Sequence, residues 1–464
     1  MRRRISSALL ASFLFCSFLQ AGGPLRVTGI NTQHPGQPFV WDVSTPIRYS
    51  VDSGPLSVNP SGQTIVNNSK GLARVQAMFQ NWSSPSTTSI SYSYAGPISA
   101  PGLGSNGDVR TIQDFNAVMA TCNSGVQSPV VFDADGTLLH ALGLDPSVIG
   151  FSGTCKLDPQ AAHIVSAFVF MNGEFQDEVD NPANSNYELT ADQFDEAITH
   201  EMGHFSGLDH SQINVDMLGT FSGNCPLDEL AGLPLMFPIE FCQSRKSAGL
   251  PTLAPDDIAW ISKLYPSSSF ATNYGTISGF IFFSDGITHV QGLNVVARHV
   301  DDPSTPADES KSIASSVVSG FLFTGNPGQS LTGDNSGGSE FGSRNSALIG
   351  YYEIPVTAGM YTLQTENINA SFTGGSSVGP LDRPAITYGA FEYWHHYESA
   401  FDDPSSKDLI TVQAGQKLSN VNFILNGTPP RFDPFDAGVA QLEIPDNRFL
   451  LLASRQQWLM DAVL

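Results

Sequence analysis

Basic residues are scarce in this chain. It has 21 lysines and arginines against 44 aspartates and glutamates, which gives a formal net charge of −23 at pH 7. A surface this acidic repels nucleic-acid phosphates and anionic membrane surfaces, so both classes of partner are excluded. At 464 residues the chain is too long for one ordinary core, and its length predicts two or three domains.

Cysteine is also scarce. The chain has five cysteines, and none has the spacing of a zinc-binding motif. Cys16 lies in the apolar run near the N-terminus, and an even number remains, which is typical of disulfides formed in an oxidising compartment. Three pairings are open, and one joins sequence neighbours: Cys122 with Cys155 and Cys225 with Cys242.

The N-terminal segment has the pattern of a secretory signal peptide. Three arginines at positions 2–4 precede the apolar run 5–19, and small residues follow, so we predict that residues 1–21 are removed by cleavage after Ala21. A membrane anchor is the alternative, but the run is short for a spanning helix, which needs about 20 apolar residues. We therefore predict a protein that is extracellular or periplasmic and has no membrane span after signal removal.

Residues 22–266 mix strand-like and helix-like segments. The apolar run 164–171 predicts a buried central strand, and Leu72, Val75, Phe79 and Trp82 have the spacing of a helix that packs through one face. Further strands are predicted at 47–52, 90–94 and 130–132. A capping box at Thr190 and Gln193 predicts a helix to about Ser206, and a second helix begins at Pro255.

The remainder of the chain has a different composition. Alternating apolar and polar segments with glycine and asparagine turns predict an antiparallel β-sandwich over residues 272–428. We place the boundary at Pro266 and leave residues 429–464 unassigned. The adjacent histidines His395 and His396 would point to opposite faces of a strand, so surface or packing roles are favoured for them.

The segment HEMGHFSGLDHS at residues 200–211 carries the chemistry. His200 and His204 lie four residues apart, so on a helix both imidazoles can contact one metal ion. Gly207 can adopt the left-handed conformation that ends a helix, which allows His210 to return to the same point. Three nitrogen ligands leave a zinc position open for water, and Glu201 is placed to act as its general base. A structural zinc is the alternative, but such sites usually have a fourth protein ligand.

This segment resembles the zinc signature of the metzincin metalloendopeptidases, and its GLDHS ending resembles the matrixin branch. LPLMFP at residues 233–238 resembles the family's Met-turn, so the resemblance assigns Met236 a structural place beneath the zinc. LAPDDIAWISKLYP at 253–266 resembles the matrixins' closing helix. The resemblance implies an α+β (α/β) catalytic domain with a twisted mixed sheet and an active-site helix. It also implies one catalytic zinc and an endopeptidase that cleaves protein or peptide substrates through a zinc-bound water.

The chain departs from the matrixin pattern in two respects. Twenty-five residues separate His210 from Met236, and the insertion contains Cys225, so the family's side-chain preference is not carried over. Matrixins also hold calcium and a structural zinc. Calcium at Asp133 or Asp135 is an alternative to a turn with solvated aspartates, and no second zinc is predicted.

The sandwich resembles carboxypeptidase-regulatory-like domains of secreted enzymes, with a substrate-binding or spacing role. The alternative function is a secreted binding or adhesion protein whose metzincin-like domain is inactive. The presence of Glu201 favours the enzyme, because an inactive domain has no chemical need for that carboxylate.

Overall fold

The computed structural model describes residues 23–29, 32–104, 106–181, 187–211, 225–237, 242–302, 304, 309–323, 345–367 and 392–427. The predicted signal peptide and the unassigned tail lie outside the described residues. In the part that is described, the chain is a mixed α+β protein with several sheets.

The first part of the chain alternates helices with strands. Its strands are β1 (Val40–Trp41), β2 (Ile47–Val51), β3 (Ser57–Val58), β4 (Thr64–Val66), β5 (Tyr92–Pro97), β6 (Pro129–Asp133), β7 (Gly150–Asp158) and β8 (His163–Asn172). Its helices are α1 (Asn68–Ser83), α2 (Ile112–Asn123), α3 (Thr137–Ala141), α4 (Ala191–Phe205), α5 (Leu227–Gly232) and α6 (Pro255–Leu264).

Six of these strands form one mixed sheet. Its order is β1-β8-β6-β2-β5 with parallel pairs, and β7 adds to β8 in the antiparallel direction. The apolar run predicted as a central strand is β8, and its side chains alternate between two cores, as expected for a strand covered on both faces. Ala167, Val169 and Met171 pack with α1 and α4, whereas Phe168 and Phe170 pack with α2.

Several predicted boundaries shift in the structure. The helix predicted from residue 72 begins at Asn68, because the Asn67 side chain accepts a hydrogen bond from Lys70 N at 3.0 Å and caps it. The strand predicted at 90–94 is β5, displaced to Tyr92–Pro97. The antiparallel strand β7 and the helix α2 were not predicted.

Beyond α6, a short helix α7 (Phe270–Asn273) leads into the second group of strands. They are β9 (Tyr274–Phe282), β10 (Leu293–Val300), β11 (Glu309–Val318), β12 (Tyr351–Thr357), β13 (Gly359–Asn367), β14 (Ile410–Val412), β15 (Lys417–Leu418) and β16 (Phe423–Ile424). Among the described residues they form two sheets, β11-β10-β13-β14 and β12-β9-β15, with β16 also paired to β9.

The second of these sheets is not purely antiparallel, so that part of the prediction was wrong. β15 and β16 both run parallel to β9. The cause is a turn at Gly415, whose N–H donates to Tyr274 O at 2.8 Å. The turn starts β15 beside the first residues of β9, and both strands then run in the same direction.

Helix α6 joins the two parts of the chain. The Trp260 indole Nε1 donates to Ser316 O on β11 at 2.8 Å, and Ser316 N donates to Asp256 Oδ1, also at 2.8 Å. Lys263 forms an ion pair with Glu353 on β12. Trp260 is only 3% exposed, so β11 covers a core residue of α6.

Two disulfides are present, and they join sequence neighbours. Cys122–Cys155 links α2 to β7, and Cys225–Cys242 closes a loop that contains α5 and Met236. The neighbour pairing is therefore confirmed, and both bonds fit an oxidising compartment. Among the helices that the structure describes, none is both long enough and apolar enough to cross a membrane.

Candidate metal centre

Helix α4 begins and ends as the sequence predicts. Gln193 N donates to Thr190 Oγ1 at 3.2 Å, and Thr190 N donates to Gln193 Oε1, which is the predicted capping box. After Phe205 the chain reverses at Gly207, which has a φ of +86°. Gly207 N donates to His204 O and Leu208 N to Gly203 O, the pair of bonds that defines a Schellman motif.

The reversal brings three histidine rings together. His210 Nε2 lies 3.1 Å from His200 Nε2 and 3.0 Å from His204 Nε2. Nitrogens bound tetrahedrally to one zinc at the usual Zn–N distance are about 3.3 Å apart, so the observed spacing fits the ion closely. All three candidate ligands lie within 4.8 Å of one another.

Hydrogen bonds fix the tautomers of two of these rings. His200 Nδ1 donates to Leu235 O at 2.7 Å, and His204 Nδ1 donates to Leu208 O at 2.9 Å. A carbonyl oxygen can only accept, so in each neutral ring the proton is on Nδ1 and the Nε2 lone pair faces the centre. Carbonyl partners of this kind are the usual support of metal-binding histidines.

Burial favours the neutral form that a metal requires. It lowers the pKa of His200 to about 4 and that of His204 to about 3, and it lowers the pKa of His210 well below the ordinary value. A neutral His210 has one proton to offer and two close Nε2 neighbours. One N–H cannot point directly at two lone pairs, so at least one Nε2 lone pair of His200 or His204 has no proton directed at it. A bound cation would interact with that lone pair.

Glu201 lies beside this cluster and is 8% exposed. Its Oε2 is buried without a hydrogen-bond partner, although a buried carboxylate oxygen ordinarily has one. Burial raises the pKa of Glu201 to about 8. Strand β7 passes directly beside it: Ser152 Oγ donates to the Glu201 carbonyl at 2.6 Å, and a Cβ at Gly150 would lie 3.1 Å from Glu201 Cγ.

Met236 packs under the histidine cluster. It is 2% exposed, and a Cβ at Gly203 would overlap its sulfur, so the methionine lies against α4 next to His204. Its backbone carbonyl accepts from Ser211 N at 2.9 Å. The structure thus brings together three of the predicted residues, His200, His204 and His210, and places Met236 against the helix that carries them; Glu201 follows His200 on that helix, with its side chain against β7.

Asp257 supports this turn, and the sequence indicated it only as a residue that opens α6. Its carboxylate accepts hydrogen bonds from Leu235 N at 2.8 Å, Met236 N at 3.1 Å and Ala254 N at 2.8 Å. The side chain is 1% exposed. The spacing between Met236 and Asp257 follows no motif, so only the folded chain reveals the contact.

The aspartates weighed as calcium ligands have local roles. Asp133 accepts from Leu138 N and Leu139 N and caps α3, and Asp135 Oδ1 accepts from Thr137 N. Asp135 is exposed, as the turn interpretation predicts, but Asp133 is only 2% exposed, so the prediction of a solvated side chain was wrong for Asp133, whose carboxylate is used by the backbone of α3. His395 and His396 lie outside the strands, and each is paired with an aspartate, Asp402 and Asp408 respectively.

The fold and the site together define an α+β protein with a buried three-histidine cluster suited to a metal ion. Comparisons of the chain with protein-family models, with curated proteins and with solved structures find no match.

Proposed function

We propose that this protein is a zinc-dependent endopeptidase of the metzincin, matrixin-like type. The observation that carries the proposal is the convergence of three Nε2 atoms, together with a buried carboxylate oxygen without a hydrogen-bond partner on Glu201, the residue that follows His200. Structural zinc sites are closed by a fourth protein ligand, whereas catalytic sites keep one position for water. Among the described residues, the cluster contains three metal-binding side chains and no fourth.

His200, His204 and His210 would hold the zinc. When bound, the ion would polarise the scissile carbonyl and lower the pKa of water near it. Glu201 would take a proton from that water and deliver it to the leaving amine. A bound cation would favour the ionised form of this carboxyl, which is the form that accepts a proton. Leu235 O and Leu208 O would hold the rings of His200 and His204 in place.

A peptide substrate fits the edge of the sheet. Among the described residues, β7 pairs on one side only, with β8, and it begins next to Glu201. An extended peptide can add to such an edge as another strand, held by backbone hydrogen bonds that do not depend on its sequence. The reactive carboxylate would then lie beside the backbone of the bound peptide.

The same proposal includes the domain boundaries and the signal peptide. Residues 22–266 form the metzincin-like catalytic domain with Met236 in the Met-turn, and residues 272–428 form an accessory β-sandwich. Residues 1–21 direct secretion, in agreement with the two disulfides.

The test measures cleavage of an unfolded protein by the full purified chain, with zinc content determined in parallel. We expect one zinc per chain, loss of cleavage with a zinc chelator and recovery on adding zinc. Glu201→Gln should bind zinc normally and lose roughly 10²- to 10⁴-fold in kcat/KM. The matched control is Glu196→Gln, a buried glutamate one turn before His200 on the same helix, whose carboxylate accepts a hydrogen bond from Lys246 N at 3.2 Å; it should cleave normally.

Two outcomes would refute the proposal. The first is equal cleavage by wild-type protein and Glu201→Gln, and the second is purified protein that neither contains zinc nor takes it up. A zinc-loaded protein without cleavage activity would favour the binding or adhesion alternative.

A further inference from the structure

A second cluster of carboxylates lies in the C-terminal part of the chain, far along the sequence from the histidines. Glu392, Glu398 and Asp402 each place an oxygen within 4.8 Å of the others. Oxygens that share one calcium ion are at most about 5 Å apart, twice the Ca–O distance. The three side chains can therefore contact a single calcium ion without a change of fold.

One oxygen of this cluster is buried and has no hydrogen-bond partner. Glu392 is 2% exposed, and its Oε2 accepts from Asn426 N at 2.9 Å. Its Oε1 is equally buried, yet no donor reaches it. Burying a carboxylate oxygen without a hydrogen-bond partner lowers the stability of the folded state unless a bound ligand interacts with it.

The surrounding donors hold the other two carboxylates in place. Glu398 accepts from His395 N at 3.0 Å and Ile424 N at 2.9 Å, and Asp402 accepts from Ser399 N at 2.6 Å. Each Glu398 oxygen has one of these donors and keeps a lone pair for a cation, and Asp402 keeps one on Oδ1, because its Oδ2 also faces His395 Nε2 at 3.0 Å. These bonds orient three acceptors toward one another and supply no positive charge.

Little counter-charge reaches this cluster. Among the described residues, no lysine or arginine forms an ion pair with Glu392, Glu398 or Asp402, and the one ion-pair partner is His395, whose Nε2 lies 3.0 Å from Asp402 Oδ2. Like charges at this separation repel strongly when they are shielded from water. A divalent cation would remove the repulsion and provide a partner for Glu392 Oε1.

We infer that Glu392, Glu398 and Asp402 form a calcium site. Three carboxylates and no grouped nitrogen or sulfur ligands suit calcium rather than zinc. Calcium would fasten the loop 392–402 to the chain that follows β16, because Asn426 donates both to Glu392 and, through Nδ2, to Asp402 Oδ1 at 2.6 Å. The site is independent of the histidine cluster and of the proposed enzymatic activity.

The test uses the full chain, saturated with zinc and freed of calcium by a calcium-binding resin. Calorimetric titration with calcium chloride should show one site with a dissociation constant between about 10 µM and 1 mM, the range of extracellular and sensor sites. Thermal unfolding should shift upward by several degrees at saturating calcium. Magnesium at the same concentration should shift it less, since magnesium requires a tighter octahedral arrangement.

The decisive variant is Glu392→Gln. Its amide NH₂ can take the position of the unpartnered Oε1, while its carbonyl oxygen still accepts from Asn426 N. Without calcium this variant should unfold close to the wild-type temperature, because burial raises the pKa of Glu392 to about 8 and the wild-type carboxyl carries little negative charge near pH 7. Its calcium affinity should fall at least tenfold, and its calcium-dependent thermal shift should vanish.

Two controls make the result specific. Asp403→Asn changes an exposed aspartate of the same loop and should keep wild-type calcium binding. Asp135→Asn changes an aspartate that the sequence offered as a possible calcium ligand, and this variant should also keep wild-type calcium binding. The inference is overturned if the wild-type chain binds no calcium at 10 mM, or if Glu392→Gln binds it as tightly as the wild type does.

Discussion

His200 donates a hydrogen bond through Nδ1 to the carbonyl oxygen of Leu235 at 2.7 Å. The amide N–H of the same Leu235 donates to Asp257 on α6 at 2.8 Å. A ligand of the proposed metal is thus held by a turn, and the turn is held by a buried carboxylate. Residues outside the histidine motif therefore set the orientation of the ring.

Asp257→Asn tests this support. Both carboxylate oxygens accept backbone N–H groups, so an amide NH₂ must face a donor whichever way the side chain is turned. We expect zinc affinity to fall about 10- to 100-fold and stability to fall by about 2 to 4 kcal/mol. Competition with a fluorescent zinc chelator measures the first effect, and urea unfolding measures the second.

The matched control for Asp257 is its neighbour. Asp256 is also buried and accepts from Ser316 N on β11 at 2.8 Å; it lines the same small cavity as Met236 but accepts no hydrogen bond from Leu235 N or Met236 N, which both donate to Asp257. Asp256→Asn should lose less zinc affinity than Asp257→Asn. If both variants lose zinc equally, the effect is general destabilisation and the positioning role of Asp257 is wrong.

Gly207→Ala tests the chain reversal before His210. The position has a φ of +86°, and a Cβ there would lie 2.9 Å from Ile164 Cδ1. We expect a loss of about 1 to 3 kcal/mol in stability, together with weaker zinc binding. Gly249→Ala is the control, because Gly249 has a similar φ of +76° with nothing within 4 Å of the added Cβ. Gly249→Ala should lose stability but keep wild-type zinc affinity. If Gly207→Ala also keeps wild-type zinc affinity, the prediction is contradicted.

Asp52 should make stability depend on pH. Burial raises its pKa to about 7, with the nearby Asp108 adding to the shift. A folded pKa above the unfolded value of about 3.9 means that the native state binds the proton more tightly. The stability from this group is complete below about pH 4 and is lost as the pH rises to 7.

Unfolding by urea at pH 5 and pH 8 measures this effect. Asp52→Asn cannot ionise, so its stability should fall less between the two pH values than that of the wild type. Asp42→Asn, at an exposed position, should follow the wild type. Identical pH dependence in all three proteins would show that Asp52 titrates normally.

The two disulfides should differ in their effect on zinc. Replacing either pair by serines should cost about 2 to 5 kcal/mol. Cys225–Cys242 encloses Met236, so its removal should also weaken zinc retention, whereas removal of Cys122–Cys155 should not. Zinc content after dialysis of the two double variants separates these outcomes.

Sequence reasoning worked best where a local rule determines the structure. The capping box at Thr190 and the glycine at 207 fix both ends of α4, and their side-chain and backbone requirements are visible in a few adjacent residues. The spacing of His200 and His204 then places both rings on one face. The buried strand β8 was predicted for the same reason, because its apolar run is continuous.

The missed features depend on contacts between distant residues. In the sequence, Asp257 has only the pattern of an aspartate in the first turn of a helix. Its hydrogen bonds with Leu235 N and Met236 N form only when α6 packs against the turn that contains these two residues. Strand β7 has partly exposed side chains and little apolar signal, yet it supplies the sheet edge beside Glu201. The parallel pairs of β15 and β16 with β9 join strands more than 130 residues apart, beyond the range of any periodicity.

Adjacent residues of α6 bind different parts of the chain: Asp256 accepts from the backbone of β11, and Asp257 accepts from the turn at Leu235 and Met236. One helix therefore contacts both the C-terminal sheets and the turn that holds His200. A protein cut after Pro266 would leave Trp260 uncovered and α6 without its outer neighbour. Zinc release and melting of the C-terminal sheets should consequently occur as one event on heating, and cleavage of the C-terminal part by an added protease should weaken zinc retention.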